Sequence, residues 1–139
     1  MSSVSPDELE KILKVVDEAL LNHTKWYDDL VRRLLCHLPL PESMLAKDAH
    51  HRCAFGVWFY GMGKDQVAAL PAFKTIGELH ETMHNSARQI CGKNLATGFV
   101  PEVEYDAFVH DLTQFRNVLN LFKSRIVKTR ENVDSPKNI

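Results

Sequence analysis

Residues 5–34 read SPDELEKILKVVDEALLNHTKWYDDLVRRL, and this stretch decides the fold. Ser5 is placed as a helix N-cap, Pro6 as the first helical residue, and Glu8 three positions after the cap completes a capping box. Behind this start, Leu9, Val16, His23 and Leu30 fall on one row, and Leu13, Leu20, Tyr27 and Leu34 on a second. Two rows seven residues apart make a sustained apolar seam, the mark of a helix packed along its length. The prolines at 39 and 41 stop it near Cys36.

The rest of the chain repeats the pattern. A second helical segment spans Ala49 to Tyr60 and ends at Gly61-Met62-Gly63, with a short helical turn before Pro71. A third runs from about Pro71 to Thr97 with Gly98 as its C-terminal cap. Its inward row is Phe73, Ile76, His80, Met83, His84, Ala87, Ile90 and Cys91. A fourth begins near Pro101, with the seam Tyr105, Phe108, Leu112, Phe115, Leu119, Phe122 and Ile126. Four amphipathic helices and no strand predict an all-α, antiparallel four-helix bundle with a short extra helical segment. Residues 1–131 are expected to form the domain, and 132–139 a flexible C-terminal tail.

Composition removes several function classes. A chain of 139 residues suits one domain, and 45% hydrophobic with 25% charged residues suits a packed core. Seventeen basic against eighteen acidic residues leave a net charge of -1, which offers nucleic acid or anionic lipid no basic surface. No apolar run approaches the ~20 residues of a membrane span. The acidic start, with Asp7, Glu8 and Glu10, does not resemble a secretory signal. Three cysteines, an odd number, argue against a disulfide framework and for a reducing, cytoplasmic setting.

Histidine is unusually frequent, with seven in one small chain. His80 and His84 are four apart, so their imidazoles share one face of one helix, and that face is the apolar one. A lone buried histidine is ordinarily a core residue bonded to a backbone carbonyl. A pair side by side needs two separate partners, whereas one metal ion satisfies both. His23 adds a third imidazole at a seam position where leucine or valine fills the equivalent rows. Cys53 on the second helix is the candidate fourth ligand, since zinc takes cysteine and histidine in a tetrahedron. Cys36 lies too far along the first helix, and Cys91 is about 10 Å beyond His84 at a rise of about 1.5 Å per residue. His37, His50, His51 and His110 are read as solvated or locally bonded.

The same stretch, His80-Glu81-Thr82-Met83-His84, also spells H-E-x-x-H, in which a zinc protease uses the glutamate as general base. A protease needs a third downstream ligand, for which Glu102 and Glu104 have no supporting motif. Glu81, one residue off, is expected to point away from the histidine face.

Three elements together resemble the chemoreceptor zinc-binding domain family of bacterial signalling proteins. They are H-x-x-W at His23 to Trp26, C-x-x-G-x-W at Cys53 to Trp58, and the histidines four apart at 80 and 84. The likeness extends from about Leu9 to Ile126 and is nearest to the N-terminal zinc sensor of a zinc-regulated diguanylate cyclase. It implies one zinc ion per chain held by three histidines and one cysteine. It also implies a helical bundle that regulates an output, either cyclic-di-GMP synthesis or chemotaxis, in cis or in trans, some members standing alone. A symmetric homodimer is implied as well, and the long seams permit it. No cyclase signature precedes Ile139, so the domain itself is expected to be non-catalytic. Gly56 is expected to let a neighbouring helix approach the thiol, and Trp26 and Trp58 to seal the site from water. Oxidation of Cys53 would remove a ligand. The competing functions are a metalloprotease and a purely structural zinc bundle.

Overall fold

The computed structural model describes residues 4–134. Helix α1, Pro6–Leu35, begins as the sequence requires: Ser5 Oγ accepts the Glu8 N–H, and Glu8 Oε1 accepts the Ser5 N–H, both at 3.1 Å. Leu9, Leu13, Val16, His23 and Leu30 are buried along its seam. Two long helices complete the frame, α6 at Pro71–Thr97 and α7 at Glu102–Asp134. Gly98 ends α6 at φ 86°, in the left-handed region where a side chain would be strained.

Helix α7 packs against both α1 and α6. Its contacts with α1 run in reverse order along the two helices, which fixes them as antiparallel. Arg130 pairs with Glu10, Lys123 with Asp17 at 2.7 Å, and the Tyr105 and Tyr27 hydroxyls meet at 2.6 Å. The expected rows line the core: Phe108, Phe115, Leu119, Met83, Ile90 and Val16 are all fully enclosed. Among the described residues every regular element is a helix.

The fourth side of the bundle departs from a single rod. It is a chain of short helices: α2 at Glu42–Leu45, α3 at Ala49–Arg52, α4 at Ala54–Tyr60 and α5 at Met62–Val67. The segment expected as one helix from Ala49 to Tyr60 breaks at Cys53, whose backbone is extended at φ −70° and ψ 158°. The break is stabilised because the Cys53 side chain caps α4, its Sγ accepting the Gly56 N–H at 3.3 Å. Helix α7 continues through Asp134, so the expected tail boundary at 132 falls inside it. The remaining tail positions, 135–139, lie outside the described residues.

Candidate metal centre

Three parts of the fold converge on one point. Helix α1 supplies His23, the α3–α4 break supplies Cys53, and α6 supplies His80 and His84. One ligand atom from each of these four side chains lies within 4.8 Å of the other three. Cys53 Sγ is 3.3 Å from His80 Nε2 and 3.9 Å from His23 Nε2. A zinc tetrahedron with ordinary Zn–N and Zn–S bonds has edges of about 3.3–3.6 Å, so the donor set is close to that geometry.

The hydrogen bonds separate the three histidines. His23 Nδ1 lies 2.7 Å from the Ala19 carbonyl one turn back. Donation from that nitrogen leaves the lone pair on Nε2, facing Cys53, which is how an outer partner orients a ligating imidazole. His80 Nδ1 and His84 Nε2 have no such partner, although both atoms are buried. A core histidine held by a backbone carbonyl would not leave a buried lone pair such as His84 Nε2 unmet, whereas His80 turns Nε2, not the unpaired Nδ1, toward Cys53.

Burial sets the protonation states. Desolvation lowers the His23 pKa against the raising effect of its bond to Ala19. His80 is pushed far below the usual imidazole range, first by burial and then by neighbouring His84 and His23. His84 is pushed down to about 3, first by burial and then by neighbouring His23 and His50. All three imidazoles are therefore neutral near neutral pH, the form that binds a metal. Burial raises the Cys53 thiol, while the N–H groups of Gly56 and Phe55 at the α4 N-terminus pull it back down.

Phe55 and Phe115 wall the cluster from the core side. The Phe115 ring, fully buried on α7, sits 5.0 Å from His80 and 5.1 Å from His23 by ring centroids. Phe55 lies 5.0 Å from His80. The seam pattern marks Phe115 as a core residue, but nothing in sequence sets it beside histidines of two other helices.

The supporting residues divide. Trp26 flanks the cluster, its ring 4.8 Å from His84 and 5.9 Å from His23. Gly56 is required by a close approach: a Cβ there would lie 1.9 Å from the His50 carbonyl oxygen. The neighbour it admits is the short helix α3, just before Cys53 in the chain. Trp58 stands off the site and packs with Phe55, Phe59 and Val67 in the core between α4 and α5. The expectation of two sealing tryptophans therefore needs correction. Trp58 does not border the cluster, and a cavity of about 220 Å³ reaches His23, Cys53 and His84 past Trp26.

Cys36 is exposed, and Cys91 is fully buried in the α6 seam. His50 differs from expectation, because it is buried at 7% exposure with Nε2 3.8 Å from a Glu81 carboxylate oxygen. The short α3 turn folds it under α6, which a single straight helix would not have done. His51 is exposed and stacks on Tyr60 at 3.9 Å, while His37 and His110 are exposed. Glu81, 53% exposed, faces His50 rather than the cluster.

Comparison with known proteins agrees with this geometry. Residues 23–91 match the model of the chemoreceptor zinc-binding domain, a span that begins at His23 and includes Cys53, His80 and His84. The fold is similar to a solved structure described as the regulatory CZB domain of DgcZ. The TM-score is 0.76 at 21% identity, over 86% of this chain and 99% of that one. No curated protein matches the chain. The family is by description zinc-binding, and three imidazoles with one thiol are a donor set suited to one zinc ion. Residues 23–91 of this chain thus match the chemoreceptor zinc-binding domain family.

Proposed function

We propose that His23, Cys53, His80 and His84 hold a single zinc ion, and that the bundle is a regulatory module controlling a signalling output. The observation that carries this is the convergence of four donor atoms from three separate elements, with the buried His84 Nε2 otherwise unpartnered. Gly56 and Trp26 support the site by admitting the close turn and flanking the histidines. When bound, zinc supplies a cross-link among α1, the α3–α4 break and α6.

Four protein donors leave no coordination position for a substrate water, which argues against hydrolysis. The exposure of Glu81 and its orientation toward His50 remove the general base that H-E-x-x-H chemistry needs. The output is cyclic-di-GMP synthesis or chemotaxis, coupled in cis or through a partner in trans, in the cytoplasm. No helix among the described residues is long and apolar enough to cross a membrane. A two-fold homodimer completes the proposal. Leu35, Leu95, Phe99 and Val103 are each more than half exposed near one end of the bundle, and dimerisation is a common way to cover such groups.

Elemental analysis tests the assignment, with about one zinc per chain expected for the wild type and none for the Cys53→Ala, His80→Ala double variant. Undiminished zinc in that variant would sink it. Light scattering at tens of micromolar reads the oligomer, and a monomer mass there overturns the dimer.

A further inference from the structure

We propose that the cavity of about 220 Å³ beside the cluster is a binding site for a small metal-chelating molecule carrying carboxylate or amine donors, through which the metal is exchanged. The proposal rests on the zinc assignment above. His23, Cys53 and His84 line this cavity, while His80 does not. Three of the four donor side chains are therefore approachable from one side, with His80 behind them.

The cavity exists because its walls are small. Ala19, Ala49 and Ala54 face it, with Ser43, where the bundle seams elsewhere carry leucine, isoleucine or phenylalanine. It reaches the surface between Asn22, Ser43 and Arg52, all exposed. Arg52 is fixed at this rim by Glu42 at 2.6 Å and Asp48 at 2.8 Å, which ties α2 to α3 over the opening. The volume is that of about seven waters at ~30 Å³ each, enough for a compact chelator. Asn22 and Ser43 supply hydrogen-bond donors for its carboxylate, while Arg52 is already paired with Glu42 and Asp48.

The physical need is specific. A zinc ion that sheds an imidazole or thiolate without replacement would be left under-coordinated in an apolar interior, which is costly. A donor already seated in the cavity avoids that state, because each protein ligand leaves as an incoming one takes over. Release should then depend on the concentration of the small ligand instead of proceeding at a fixed rate.

The test uses the zinc-loaded 139-residue chain, with zinc content measured first. Release is followed by the absorbance of 4-(2-pyridylazo)resorcinol at fixed concentration while iminodiacetate is raised. The wild-type rate should rise in proportion to iminodiacetate. Ala19→Leu fills the cavity from α1, and Ser43→Leu fills it from the exposed rim with little demand on the core. Each should retain about one zinc per chain and lower the slope by about tenfold, equivalent to ~1.4 kcal/mol in the barrier. A wild-type rate indifferent to iminodiacetate overturns the proposal, as does an unchanged slope in a filled variant that still holds zinc. A wild-type chain without zinc at the cluster removes the parent assignment instead, and the initial zinc measurement tells the two failures apart.

Discussion

The Sγ of Cys53 lies 3.3 Å from Nε2 of His80, across 27 residues of chain and between the α3–α4 break and the middle of α6. This distance is shorter than the 3.9 Å that separates the same sulfur from His23 Nε2. Its placement comes from capping α4 while the chain is extended, not from a helical face. Replacing Cys53 by serine should keep the cap but weaken zinc binding, because a hydroxyl is a far poorer zinc donor than a thiolate. The expected loss is about 100-fold or more in affinity, ~2.7 kcal/mol, read by competition with a chromophoric chelator. Equal affinity in the two proteins would remove Cys53 from the site.

Gly56→Ala should be far more damaging than a methyl group suggests. The added carbon would lie 1.9 Å from the His50 carbonyl oxygen, which is backbone and cannot rotate away. The α3 turn must shift, and Cys53 with it. A destabilisation of about 2 kcal/mol or more is expected, seen as a drop of several degrees in Tm, together with reduced zinc content. Gly92→Ala is the control, since a Cβ there meets nothing within 4 Å and a helix interior favours alanine.

The Tyr27 and Tyr105 hydroxyls, 2.6 Å apart, join α1 to α7 at the end of the bundle away from the Arg130–Glu10 pair. The hydrogen bond to Tyr105 raises the Tyr27 pKa to about 12, with burial adding to it. The folded value lies above the unfolded value of about 10, so this bond stabilises the fold fully below pH ~10. Its contribution is lost as pH rises through the folded pKa near 12. Ultraviolet titration should show Tyr27 ionising late, apart from Tyr60, which burial also raises, and Tyr105→Phe should return Tyr27 toward the ordinary range. A late-titrating fraction left unchanged by Tyr105→Phe contradicts the pairing.

Removing zinc should loosen the domain without abolishing its helices. Three neutral imidazoles and a thiol would lose their shared partner in the core, and Phe115 is in ring contact with His23 and His80. The disturbance therefore reaches α7, the helix nearest the C-terminal end of the chain. At free zinc about 1,000-fold above the Kd, the stabilisation is ~4 kcal/mol and disappears with chelation. Circular dichroism should retain its helical signal while hydrogen exchange in α7 accelerates. Identical α7 protection with and without zinc would make the metal a structural cross-link and the regulatory proposal wrong.

Long helices and the histidine face were legible in the sequence because both are local, periodic properties. The Ser5 capping box, the seam from Leu9 to Leu34, the Pro71 start and the Gly98 end each depend on residues within a turn or two of one another. The spacing of His80 and His84 is likewise a property of one helix. What tertiary structure alone decided lies where the chain gives up that periodicity. Cys53 sits in an extended break whose cap is its own thiol, so no helical wheel predicts where its Sγ points. Burial of His50, the distance of Trp58 from the cluster, Phe115 as a wall and the cavity behind three alanines all arise from non-adjacent elements meeting. The sequence specified which donors were present and on which faces; only packing fixed the distances that bring them within reach of one ion.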